Sequence, residues 1–220
     1  MWLLSGNLFA RTIALNLCYY LGNRYATGYG VEYIGAHSIA MQVWLFSAFF
    51  IDGYAAAGSV LVGRLNGAGN WRDLYRVSWA VVRKSVFIGA ILSLLYLAGY
   101  AVIGSWFTAD RSVLELLSGV FWLVVITQPI NAVAFAFDGV YKGLGNGKVL
   151  RNVLLTSTLL AFVPVIVVLD RYHFLLHAIW WAFLAWMFLR GLLLALHFRS
   201  CYGPLARRLV QEPGAVHQDI

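Results

Sequence analysis

"SVFIGAILSLLYLAGYAVIGSWF", residues 85–107, runs without one Asp, Glu, Lys, Arg or His. A helix rises 1.5 Å per residue, so about 20 apolar residues cross the roughly 30 Å of bilayer hydrocarbon. This stretch therefore reads as a transmembrane helix. The rest of the chain agrees. Of its 220 residues 61% are hydrophobic and only 11% charged, where a soluble domain carries about 25% charged residues. Too few charges are available to cover a globule in water. The composition implies an all-α integral membrane protein.

Six windows are apolar enough to span: about 8–28, 36–61, 84–105, 113–140, 152–169 and 174–197. They are expected to form one six-helix transmembrane lobe over residues 1–200, followed by a tail over 201–220. The fifth window holds Pro164, which removes a backbone donor and predicts a kink. The loop "RLNGAGNWRDLYR", residues 64–76, predicts a turn leading into a short interfacial helix. Residues 203–220 lose apolar character and are expected to fray.

The formal charge of +7 does not gather on one run or face, so no nucleic-acid partner is expected. The basic residues instead alternate with the spans. Arg64, Arg72, Arg76, Arg83 and Lys84 follow the second span, Lys142, Lys148 and Arg151 follow the fourth, and Arg199, Arg207 and Arg208 follow the sixth. The opposite turns carry Glu32, then Asp110 with Arg111, then Asp170 with Arg171. The positive-inside rule places the basic loops and both termini in the cytoplasm. Cys18 and Cys201 suggest neither a disulfide framework nor a metal site. His37, His173 and His177 lie toward the outer surface without metal-ligand spacing, and Tyr and Trp near span ends, Tyr19 among them, read as an interfacial belt.

The polar residues inside the spans are the candidate site. A carboxylate in hydrocarbon costs about 2.5 kcal/mol or more, and Asp52 lies roughly 15 Å from the cytoplasmic end of its span at helical rise. It is expected to face the bundle interior or a water-filled cavity. Gln128, Pro129 and Asn131 interrupt the fourth span; such broken, polar backbone is tolerated where protein or water covers it, and Gln128, Asn131 and, more weakly, Gln42 read as cavity lining. Asp138 sits near the surface, at i, i+4 spacing to Lys142, as a helix-surface pair. Arg11 and Arg190 are expected to snorkel to the interface. Ala55 to Ser59 suit close helix approach. A short echo relates Asp52-Gly53, Gly63-Arg64 and "NGAGN" to Asp138-Gly139, Gly143 and "GNGK", in keeping with the internal repeats of transporters. There is no phosphate loop, metalloprotease pair or Ser-His-Asp constellation, so an enzyme is not expected.

Together, "GNLFARTIALNL", "IGAHSIAMQVWLFSAFFIDGYAAAGSVLVGRLNGAGN" and "QPINAVAFAFDGVYKGLGNGKVLRN" resemble the second half of the multidrug and toxic compound extrusion (MATE) family, in its DinF-like branch. The likeness rests on Phe9 to Thr12, Asp52-Gly53, Gln128-Pro129, Phe135, Asp138-Gly139 and Gly143. It implies one lobe of a twelve-helix secondary antiporter, which exports amphipathic, often cationic compounds by alternating access as protons or sodium ions enter. It further implies a cytoplasmic (inner) membrane location, membrane lipid and a small-molecule substrate as partners, and a first lobe or a second half-size copy beside this one. No cofactor beyond the coupling ion (H+ or Na+) is implied. Asp52, Gln42, Gln128 and Asn131 would line the substrate and ion cavity, with Asp138 as a gating or cytoplasmic-end contact. Ser59, Asn131 and Asn146 stand where relatives often carry acids, which removes carboxylates from this lobe. The rival readings are a lipid-linked precursor flippase, which a cleft rich in basic side chains would favour, and a non-transporting membrane scaffold.

Overall fold

The computed structural model describes residues 2–211, and every element in it is helical. Helix α1 spans Trp2–Tyr29, α2 Val31–Gly67, α3 Trp71–Ala98, α4 Arg111–Gly143, α5 Gly147–Ser157, α6 Val163–Arg171 and α7 Leu176–Gln211. A π-helical segment, Thr158–Phe162, joins α5 to α6, so these form one span. Five of the six resulting rods are long and apolar enough to cross a bilayer; α1 completes the lobe.

The rods end where the side chains demand it. After α2 the Asn70 N–H donates to the Leu65 carbonyl at 3.0 Å, and after α4 the Asn146 N–H donates to the Tyr141 carbonyl at 3.1 Å. Both closures need a left-handed residue just past the helix, supplied by Gly69 (φ 66°) and Gly145 (φ 69°). Each asparagine then caps the next helix, Asn70 accepting from the Asp73 N–H at 3.1 Å and Asn146 from the Val149 N–H at 3.4 Å. The sequence echo thus corresponds to two turns of one design. At the other end Asp110 caps α4, and hydrogen bonds from the Ser112 hydroxyl and N–H hold its carboxyl below the usual carboxylate range.

Three expectations change. No separate interfacial helix follows Gly69: the capped chain enters α3 directly at Trp71, because Asn70 supplies the start signal. The third span ends at Ala98, and its last expected turns are a bend and a short 3₁₀ turn, Gly104–Trp106. Helix α7 continues through Pro204 to Gln211 rather than fraying at 203, with Gly203 and Ala206 buried; residues 212–220 lie outside the described residues. The kink expected at Pro164 takes the form of the π segment just before it, where the i→i−4 ladder loses the donor that proline lacks.

Helix α4 is the axis of the lobe. Every residue from Ala134 to Tyr141 is buried, with α2, α3 and α7 packed around it. Small residues set the closest approach. A Cβ added at Gly139 would meet the Ala55 carbonyl oxygen at 2.6 Å, and one at Gly143 would meet that of Ser59 at 2.4 Å. The stripe Ala55, Ser59, Gly63 on α2 therefore lies against Gly139 and Gly143 on α4, as such residues do in membrane helix pairs. The outer faces are apolar: Phe87, Leu94 and Leu95 on α3 and Phe188 on α7 are all more than half exposed, as lipid contact requires. Inside, Tyr19, Trp44, Phe162, Phe183 and Trp186 interlock ring against ring. Tyr19 belongs to this interior rather than to an interfacial belt.

Candidate functional site

Three charged side chains from three helices meet inside the lobe. Arg11 of α1 and Arg190 of α7 each donate from Nη2 to the same Oδ2 atom of Asp138 on α4. Asp138 and Arg190 are buried, and the Arg11 side chain is 14% exposed. The rings of Phe135 and Trp186 lie 5.8 Å from the Arg190 guanidinium carbon, and its Nη1 faces the Met187 sulfur at 3.8 Å. Aromatic faces supply part of the solvation that a buried guanidinium loses. The cluster carries two positive charges against one negative charge. The second carboxylate oxygen, Oδ1, and the Arg11 Nε have no hydrogen-bond partner among the described residues.

This corrects the sequence reading at three residues. Asp138 is enclosed rather than near a surface, and it pairs across helices instead of with Lys142. Arg190 does not anchor at the interface: the Asp138 carboxylate holds it inside, with the Phe135 and Trp186 rings beside it. Arg11 turns inward for the same reason. A signal was available, since three unlike charges inside predicted spans are cheaper buried together than apart, but local spacing does not say which helices adjoin.

Of the two surroundings expected for Asp52, bundle interior or water-filled cavity, the structure removes the first. The inward stripe of α2 runs through Ile51, Ala55, Gly58 and Val62, and Asp52 sits at its edge. Its side chain is 47% exposed on the face of the lobe, not wrapped by helices, and Lys142 Nζ stands 3.7 Å from its Oδ1. The i, i+4 rule offered Lys142 to Asp138; two guanidiniums already hold that carboxylate and repel a third cation, so the lysine turns to α2.

The neutral candidates separate. Gln128 is buried, with Nε2 donating to the Val124 carbonyl at 2.8 Å and Oε1 unpaired among the described residues. Asn131 is buried, and its Oδ1 is likewise unpaired among those residues. Both face packed helices, and their spacing places them with Asp138 along one side of α4. The carbonyl that Pro129 leaves without a donor, that of Val125, accepts from the Ser93 hydroxyl of α3 at 2.8 Å. Gln42 lies elsewhere, on a cavity of about 420 Å³ shared with Phe46, Phe49, Tyr96 and Trp106. His37, near the Glu32 end of α2, is fully buried between Gly22, Trp180 and Phe183. A cavity of about 690 Å³ opens at the end away from the basic loops, among Glu32, Tyr33, Glu115, His173 and His177.

Comparison with known proteins gives this architecture its relatives. The MatE family model matches residues 8–167. Protein DETOXIFICATION 42 of Arabidopsis thaliana is 33% identical over 136 residues, 62% of this chain and 26% of that protein. DNA damage-inducible protein F of Escherichia coli K12 is 24% identical over 196 residues, 89% of this chain and 42% of that one. A crystal structure of a mutant of the Vibrio cholerae MATE transporter VcmN superposes with a TM-score of 0.81 at 13% identity, over 92% of this chain and 46% of that one. The eukaryotic MATE transporter AtDTX14 gives 0.74 at 17% identity, over 81% and 40%. The chain thus spans less than half the length of these relatives, as a single six-helix lobe does. With its fold and more than half of its sequence matched, the chain belongs to the MatE family.

Proposed function

We propose that this chain is the second lobe of a secondary antiporter that exports amphipathic or cationic compounds by alternating access, coupled to entry of protons or sodium ions. A first lobe, or a second copy of this chain, completes the cleft, and the lobe sits in the cytoplasmic membrane with its basic loops and termini inward. The observation that carries this reading is the half-exposed Asp52 carboxylate within a spanning helix. A charged pair facing lipid is costly, which favours water or another protein half against this face. Gln128 and Asn131 would join the path only if α4 shifts against its neighbours, and Gln42 marks a separate part of the surface. Asp138 is tied between two arginines and holds three helices in register, so cation capture falls to Asp52. The flippase reading loses its basic candidate, since Arg190 is enclosed and bonded to Asp138.

The test uses everted vesicles carrying the protein, a fluorescent organic cation and an imposed proton or sodium gradient. Gradient-driven accumulation should appear with the wild-type chain and be lost in Asp52→Asn. Equal accumulation in the two would remove Asp52 from the transport path and favour a packing role.

A further inference from the structure

Lys142 stands in the last turn of α4, and lysines near the ends of membrane helices extend toward the headgroups. This one reaches the other way. The close crossing sets Gly139 level with Ala55 and Gly143 level with Ser59, which puts the Lys142 backbone level with about residue 58 of α2. Asp52 lies roughly 9 Å deeper along α2 at helical rise. The ammonium nevertheless approaches its Oδ1 to 3.7 Å.

Two features make this contact exchangeable. It is loose: 3.7 Å exceeds a hydrogen bond, and the Lys142 and Asp52 side chains are 40% and 47% exposed, whereas Asp138 is bonded and enclosed. It is also approachable. A Cβ added at Gly53 would touch nothing within 4 Å, and Ala56 is exposed, so small side chains leave the carboxylate open on the face of the lobe. On the helices packed against α2, the other charged side chains of comparable depth are Arg11 of α1, Asp138 of α4, and Arg83 and Lys84 of α3.

We infer that Lys142 is a tethered cation that occupies Asp52 and yields it to a free monovalent cation, making the pair a cation-exchange site on the lobe face. The inference deepens the transporter reading and rests on it for the role of the site in export. A free cation must displace the ammonium to bind. Its apparent affinity is therefore lowered by the share of time that Lys142 holds the carboxylate. Removing the ammonium should leave Asp52 open to protons or sodium.

The test labels the detergent-purified chain with a hydrophobic carbodiimide, which reacts with a protonated carboxyl, and follows the Asp52 peptide by mass spectrometry. Labelling should be several-fold faster in Lys142→Gln and in Lys142→Met than in wild type, stay at the wild-type rate in Lys142→Arg, and vanish in Asp52→Asn. Protection of the glutamine variant by sodium, but not by choline, assigns sodium as the displacing ion. A rate that follows pH alone assigns the proton. The Asp138 peptide reports integrity, because an enclosed carboxylate stays unlabelled while the lobe is folded. Equal labelling of wild type and both neutral variants, or an arginine variant as fast as the glutamine one, overturns the inference. A wild-type chain that labels as expected but drives no export, alone or beside another lobe, sinks the transporter reading instead.

Discussion

Replacing Asp138 by Asn removes the one negative charge from a cluster that holds two guanidiniums. Unit charges about 4 Å apart interact by about 4 kcal/mol at an effective dielectric near 20. In the wild type the attraction of Arg11 for Asp138 is therefore largely offset by its repulsion from Arg190. Arg11→Met should consequently cost no more than about 1 kcal/mol. Asp138→Asn loses both attractions and keeps the repulsion; breaking a buried pair in this way costs about 3–5 kcal/mol. For a chain of this size, that lowers the unfolding temperature by about 6–20 °C. The apolar triple variant Arg11→Met, Asp138→Leu, Arg190→Met leaves no charge unpaired and should recover most of the loss. The assay is thermal unfolding in detergent, followed by the reactivity of the buried Cys18 thiol with the exposed Cys201 replaced by Ser. An Arg11→Met variant as unstable as Asp138→Asn would refute the charge count, and so would an Asp138→Asn variant within about 1 kcal/mol of wild type.

The helix crossing and the proline repair make separate predictions. Gly143→Ala should destabilise by about 1–3 kcal/mol, because its Cβ would meet the Ser59 carbonyl at 2.4 Å, whereas Gly53→Ala, with open space around it, should be neutral or stabilising by up to about 1 kcal/mol; the two unfolding temperatures decide it, and a tolerated Gly143→Ala would contradict the crossing. Ser93→Ala should cost about 0.5–1.5 kcal/mol by stranding the Val125 carbonyl. In a Pro129→Ala background, where the backbone N–H returns, the same change should cost measurably less, and a double-mutant cycle without coupling would refute the link.

The division between local and non-local information explains which expectations survived. Spans were legible because hydropathy acts within one helix: the window at 113–140 and the observed α4 differ by a few residues at each end. Where a boundary failed, at Trp71, a single cap hydrogen bond outweighed composition. Gly139 and Gly143 could be noticed in the sequence, but that they press on Ala55 and Ser59 depended on the crossing itself.

The sequence by itself determined a helical membrane lobe, the alternation of its basic turns and the family motifs, since each depends on residues that neighbour one another along the chain. Only the tertiary structure decided the ion pairs. Asp138 meets partners 127 and 52 positions away, while the lysine four residues along turns to another helix. The reason is physical: in a medium that solvates charge poorly, a carboxylate takes the strongest donors that packing brings within reach, and packing is a property of faces on different helices.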